Sequence, residues 1–291
     1  MARGLSKTEL EVLAREYSSP SASVDERVRE LHSNIPGVSR NAVMYLGRRV
    51  RRQRDREALC ALLDALDSHL DPWVRADAAG ELDHSMRNKE FFAMAVDPLI
   101  RHLLDKNEDR FVRRACAESL VDYHRQDRAL NALLAVLGED PDDYVRAEVA
   151  YQFGVIPICT PRVVASLLVA SEDRCWKVRA GAVRSLAECD DLRAIKAVLY
   201  RMANDTSAQV RQSAATSMIY IRGQREAAID ALRNRLADRS WRPRWGAALA
   251  LCSLGVSGAA DAAAQVENDP KVPREYKQDI REEMARLPAG P

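Results

Sequence analysis

Residues 73–82 read WVRADAAGEL, and the fold is decided by how often that string returns. A Val-Arg pair, with apolar residues four, five and eight places beyond the Val, stands at Val74, Val112, Val145, Val178 and Val210, with Pro243 in the same register. The intervals are 38, 33, 33, 32 and 33 residues, so one supersecondary unit is being repeated. The fourth position holds Ala78, Cys116, Val149, Ala182, Ala214 and Ala247; the eighth holds Leu82, Leu120, Phe153, Leu186, Met218 and Leu251. Such positions advance by roughly 40° per step on a helix and form one apolar stripe. The fifth position (Ala79, Ala117, Ala150, Val183, Ala215, Ala248) widens the stripe with small residues, which let a neighbouring helix approach closely.

Three places before the Val stand Asp71, Asp109 and Asp142, then Ser207 and Ser240. These are residue types that accept the first orphan N–H groups of a helix. Cys175 breaks the column, and Asp173 is expected to cap in its stead. Upstream of each such helix lies a second amphipathic stretch, REALCALLDALDSHL and RVVASLLVASED among them, so each unit reads as helix, tight turn, helix. Pro98 is expected to kink or restart the helix in the longer first interval.

The pattern Asp-x-x-Val-Arg-x-x-x-Ala-x-x-x-Leu, from about 57 to 254, resembles HEAT repeats, particularly the short bacterial HEAT-like kind. The resemblance implies an all-α fold, an α-solenoid of about six helical hairpins whose second helices line a concave surface. It also implies that Arg75, Arg113, Arg146 and Arg179 pair with the capping Asp of an adjacent repeat. Because the later repeats lack that Asp, Arg211 and Arg244 are expected to be open to a partner.

Composition agrees with helices: aromatics are 5% of 291 residues, and sheets prefer aromatic and β-branched residues. Forty-four basic and 43 acidic residues give a net charge of +1, which supplies no global field for nucleic acid or membrane. Six cysteines without a CxxC read as reduced core thiols of a cytoplasmic protein. No apolar run reaches the 18 or so residues of a membrane span.

Residues 1–56 carry twelve basic and seven acidic residues. LSKTELEVLAREY, VDERVRELHSNI and SRNAVMYLGRRVRRQRDR read there as three helices, separated by SSPSAS and PGV. The last presents Ala42, Val43, Leu46 and Val50 on one face and Tyr45, Arg48, Arg49, Arg52 and Arg56 on another. The segment resembles a Myb- or SANT-like helix-turn-helix, though it lacks that family's regularly spaced tryptophans. The resemblance implies that Arg40, Asn41, Tyr45, Arg48 and Arg52 contact DNA, and Arg49 and Arg56 extend the same basic helix. The other reading is a cap for the solenoid.

Enzymatic readings find little support. Iron-dependent hydroxylases of this architecture carry His-Glu pairs, and no His here is followed by Glu. A HEAT-like DNA glycosylase would use Asp173 with Trp176, Trp241 and Trp245; a phycobilin-lyase-like role rests on the repeat type alone. There is no P-loop, GxSxG or HExxH. The expectation is a non-enzymatic scaffold or adaptor without cofactor or metal that binds a protein partner through its concave surface. Trp73, Phe111, Tyr144 and Trp176, a row of aromatics at helix starts, would join Arg211 and Arg244 at the interface. The alternative is a DNA-binding regulator that uses the basic helix at 40–56. The expected organisation is 1–56, 57–254 and 255–291, the last closing with a helix that carries Tyr276, Ile280 and Met284 and with the tail PAGP.

Overall fold

The computed structural model describes residues 23–33, 36–83, 89–156 and 158–286. Among them are sixteen α-helices, one 3-10 turn (Met218–Tyr220) and no strand. The helices are α1 (Val24–Leu31), α2 (Pro36–Gln53), α3 (Arg56–Ser68), α4 (Pro72–Glu81), α5 (Lys89–Leu104), α6 (Arg110–Val121), α7 (Asp127–Glu139) and α8 (Asp143–Val155). They continue as α9 (Pro161–Ala170), α10 (Trp176–Ala187), α11 (Leu192–Asn204), α12 (Ala208–Ser217), α13 (Arg225–Arg235), α14 (Trp241–Ser253), α15 (Ala259–Glu267) and α16 (Arg274–Met284). No helix among the described residues is long and apolar enough to cross a membrane. The helix expected within residues 5–17 and the tail PAGP lie outside the described residues.

Helices α3 to α14 are the six expected hairpins. All eighteen positions of the Val, fourth and eighth columns are buried. Helix α5 contains Pro98 and continues past it, so of the expected kink or restart there is no restart. Phe91, Ala95, Leu99 and Leu103, all buried at a spacing of four, anchor both halves to the core and outweigh the missing N–H.

The chain packs as two compact units, Met1–Val136 with Asp140–Val145, and Leu137–Glu139 with Arg146–Pro291. In the first unit α4 packs on α3, α2 and α6, so α2 stacks on α4 as α4 stacks on α6. The reason is in the sequence: Val38, Ala42, Val43 and Leu46 occupy the same 0, 4, 5 and 8 columns and are buried. The stacking pattern thus begins one hairpin before the first Val-Arg pair, with Ser39 where the Arg would be. Helix α2 starts at Pro36 rather than after PGV, since proline's fixed φ suits the first helical position. In the second unit α10 stacks on α12 and α12 on α14, while α15 and α16 pack against α14.

Between hairpins runs a ladder of guanidinium groups. Arg146 bonds Asp173 through Nε and Nη2 at 2.9 and 3.0 Å. Arg179 bonds Asp205 at 2.8 Å through both, and Arg211 bonds Asp238 at 2.8 and 2.9 Å. Arg244 bonds Asp269, Arg113 bonds Asp140, and Arg75 bonds Glu108. The third arm turns back: Nη1 of Arg179, Arg211 and Arg244 donates to the carbonyls of Asp173, Asp205 and Asp238 at 2.8, 2.7 and 2.6 Å. Arg211 and Arg244 are therefore fully engaged inside the protein, against the expectation that they stand open. The partner of Arg211, Asp238, lies five places before the next column residue, Pro243, rather than three, and that of Arg244, Asp269, lies in the turn before α16 beyond the last column residue; the missing capping Asp therefore does not release either. Each of these Asp residues also accepts a turn N–H, as Asp205 does from Ser207 and Asp238 from Ser240. Ser207 and Ser240 make no side-chain cap of their own.

Burial alone would push the Asp173, Asp205 and Asp238 carboxyls up. The guanidinium and turn N–H bonds outweigh it, and all three sit below the ordinary carboxylate range. A carboxyl whose folded pKa is depressed stabilises the fold above its unfolded value, about 3.9 for Asp, and loses that contribution as pH falls through the folded value.

Cys159 and Cys189 form a disulfide, with their Cα atoms 5.3 Å apart. This corrects the reading of all six cysteines as reduced core thiols: the two lie 30 residues apart but flank α9 and α10, and the hairpin brings its two ends together. Cys60, Cys116, Cys175 and Cys252 carry free thiols.

Two outcomes follow. Arg211→Ala leaves the buried Asp238 carboxylate to Arg235 and the Ser240 N–H and should cost about 1–3 kcal/mol in urea unfolding, and the wild-type Tm should hold above pH 5 and fall below about pH 4. A loss under 1 kcal/mol would show that the rung does not couple hairpins. Thiol titration in denaturant should count four thiols before reduction and six after, and Cys189→Ser should destabilise the chain by about 3 kcal/mol.

Candidate functional site

The side chains that the ladder leaves outside are gathered along the hairpin turns of the first unit. At each turn an Asp accepts the N–H of the residue two places on: Asp71 from Trp73 at 2.9 Å, Asp109 from Phe111 and Asp142 from Tyr144, both at 2.8 Å. That bond puts an aromatic in the first turn of the helix, one residue before a Val that must face inward. The ring is thereby directed outward. Trp73 is 48% exposed, Phe111 38% and Tyr144 40%. The first two rings stack with centroids 4.4 Å apart, and the Arg110 guanidinium lies 5.5 Å over the Tyr144 ring. Leu70, in the turn before Trp73, is 95% exposed. Its carbonyl and that of His69 are held by Arg75 at 3.3 and 2.6 Å, so this apolar side chain projects from a fixed backbone. The structure thus stacks two of the four predicted aromatics, Trp73 and Phe111, and sets Arg110 over the third, Tyr144. Trp176, at the start of α10 in the second unit, is 40% exposed with the Lys177 ammonium 5.8 Å from its ring.

Beneath Leu70 is a feature that sequence reading missed, a cavity of about 420 Å³ lined by His32, Ser33, Ser39, Ser68, His69, Leu70 and Asp71. His69 occupies the place that Asp140, Asp173, Asp205 and Asp238 hold in later hairpins, five before the Val. Like them it takes a turn N–H: Asp71 N donates to its Nδ1 at 3.0 Å. Its Nε2 then carries the proton and donates to the Leu31 carbonyl at 2.8 Å. Ser39, in the Arg column, donates to the Ser33 carbonyl at 2.9 Å. The signal was present as Val38, Ala42 and Leu46, and was hidden because the column was defined by its Arg.

The basic helix α2 is partly consumed by structure. Arg40 pairs with Asp77 and Arg51 with Glu81, both on α4. Arg49 is bonded to Asp55 at 2.6 Å and Arg56 to Glu90 at 2.9 Å. The Arg27 guanidinium lies 4.8 Å over the Tyr45 ring, and Asn41 is half-buried. Arg48 and Arg52 remain exposed. Burial, only partly offset by Arg51, raises the Glu81 carboxyl above its ordinary value.

The residues nominated for glycosylase chemistry do not converge. Asp173 is bonded to Arg146 and Cys175. Trp245 is buried and donates to the Tyr276 carbonyl at 2.8 Å; Trp241 packs edge-on against the same tyrosine. Both tryptophans thereby bind α16, with Ile280 buried beside them as the closing helix.

The HEAT repeat profile matches residues 59–154 and 164–252. Comparison with curated protein sequences gives no match. Among solved structures, YibA of E. coli is similar over 98% of this chain and 99% of its own, with 16% identity and a TM-score of 0.58. A chain of the Kap95p–RanGDP complex is similar over 96% of this chain and 42% of its own, with 16% identity and a TM-score of 0.54. At such identities the likeness is one of fold. With the repeat profile covering more than half of the sequence, and helical hairpins stacked in the register that profile describes, the chain belongs to the HEAT repeat family.

Proposed function

We propose that this chain is a non-enzymatic HEAT-repeat scaffold that binds a protein partner through side chains exposed by its second helices. The observation that carries the reading is the row Trp73, Phe111 and Tyr144, held in water at successive turns while the ladder behind it is saturated. Exposed rings on a fixed backbone are favoured binding anchors, because they cover large areas with few rotamers to freeze. The structural neighbour Kap95p, by its title, binds a protein, which is in keeping with this use of the fold.

A second reading keeps α2 as a DNA-binding helix, and what favours it is the exposure of Arg48 and Arg52. The pairing of Arg40, Arg49, Arg51 and Arg56 with carboxylates counts against it, since phosphate would have to displace those partners. Affinity capture from the native host, with nuclease in one arm, separates the two. The scaffold reading expects a protein that survives nuclease and binds Trp73→Ala/Phe111→Ala about thirtyfold more weakly. Gel shift on duplex DNA should show no complex at low salt; a salt-sensitive shift lost in Arg48→Glu/Arg52→Glu would move the assignment to nucleic acid.

A further inference from the structure

The cavity under Leu70 has the chemistry of an unfilled rung. From Arg179 to Arg244, each guanidinium lies between the carbonyl of its own turn, six residues back, and the carboxylate of the next turn. At the step from α2 to α4 the same two places hold Ser39 and His69. The Ser39 hydroxyl reaches the carbonyl of Ser33, six residues back, but is too short to go further. His69 keeps the turn N–H of Asp71 and spends its other nitrogen on the Leu31 carbonyl. The volume that an arginine would cross is left as the cavity, bounded by the residues that would have been its partners.

Its polar walls offer oxygen acceptors and a ring face, with Leu70 on the apolar side. Asp71 uses Oδ1 for the Trp73 N–H, which leaves its second oxygen as an acceptor; the Ser33 and Ser68 side chains and the flat face of the His69 ring line the rest. No lysine or arginine is among the described lining residues. The turns alongside carry the same sign. Once Glu108 and Asp140 are taken by Arg75 and Arg113, Asp71, Asp105, Asp109, Asp142 and Asp143 outnumber the cations carried by those turns, Lys106 and Arg110; Arg40, which also acts on Asp71, is itself bonded to Asp77. A planar cation meets both requirements, since guanidinium stacks on a ring and donates in a fork to oxygen acceptors, which an ammonium does not.

We propose that an arginine of a partner protein fills this rung from outside. It is carried on an extended segment whose apolar side chains lie across Leu70, Trp73 and Phe111. The inference rests on the partner-binding reading and names the chemistry of the partner: an arginine-bearing segment with apolar neighbours, drawn to an acidic edge. The partner supplies from outside the contact that every later hairpin makes within the chain.

The test is selection of a random peptide display library on the full-length chain, followed by fluorescence anisotropy with the enriched peptides. Enriched peptides should contain an arginine beside apolar residues, and changing that arginine to lysine should weaken binding about tenfold or more. Ser39→Arg/His69→Asp rebuilds the rung from inside and should abolish binding without lowering Tm. Asp71→Asn decides the matter if the double variant does not fold, with a loss of about tenfold expected. The proposal is overturned if no peptide is enriched, if the enriched peptides lack arginine, or if Asp71→Asn and Trp73→Ala bind as the wild type does. In that last case the peptides occupy another surface and the scaffold reading survives; capture of no protein at all from the host would remove both.

Discussion

One guanidinium gripping two successive turns is the constraint on which the stack depends. Arg211 shows it in full: Nη1 on the Asp205 carbonyl, Nε and Nη2 on the Asp238 carboxylate, with hardly any of either side chain exposed. A buried ion pair is weak evidence for stability, because desolvation offsets much of the attraction. The free energy of stacking comes from the apolar columns, where eighteen buried positions meet their neighbours. What the bidentate pair adds is geometry. Apolar surfaces slide over one another at little cost, whereas a forked contact of this kind exists at one offset between hairpins. Each ladder Asp also serves its own hairpin: the N–H of Asp205 closes α11 on the Arg201 carbonyl, and its carboxylate takes the Ser207 N–H of the following turn. Turn, helix end and inter-hairpin register therefore share one side chain.

The apolar columns were legible because burial and period are the same fact seen twice. A residue every four along a helix must lie on one face, and a face that is apolar in every repeat must be covered. The partner of the Arg was less so. The sequence contains the six-residue spacing of Asp140 and Arg146, Asp173 and Arg179, Asp205 and Arg211, Asp238 and Arg244, but in the last three pairs that spacing joins an Arg to a backbone carbonyl. Its carboxylate lies a hairpin away, and helix-capping logic points instead to the Asp three before the Val. Cys159 and Cys189 escaped for a related reason: their proximity is a property of the closed hairpin and of no local pattern. The stacking role of α2 escaped because a search anchored on Val-Arg passes over a repeat whose Arg has become Ser39.

The candidate site divides along the same line. That the aromatics would sit at helix starts could be read from their place before the Val, and their exposure follows from the capping bond that orients them. Which of the basic residues would be spoken for could not be read. Arg40 and Arg51 look like the rest of a cationic face, yet they meet Asp77 and Glu81 on α4, some 30 to 37 residues away in sequence. Charge on a helix face states what the face could attract; only the neighbouring helix decides whether it is already answered.

The loss of a rung between α2 and α4 is therefore not a simple weakening. In a stack of repeats each interface contributes its own coupling, and an interface without its guanidinium should be the one that slips. Here the step is braced across the two helices by the pairs Arg40–Asp77 and Arg51–Glu81. Gly47 leaves room for the Glu81 side chain: a Cβ there would collide with the Glu81 carboxylate and push it away from Arg51. The bracing pairs and the vacancy belong to the same interface, with Arg40 next to Ser39 in sequence. Register is kept by one, so the other is released from its structural duty. An acceptor-lined space with no structural task, at the only step among the described repeats where serine and histidine replace the paired side chains, is where the chain has room to recognise something else.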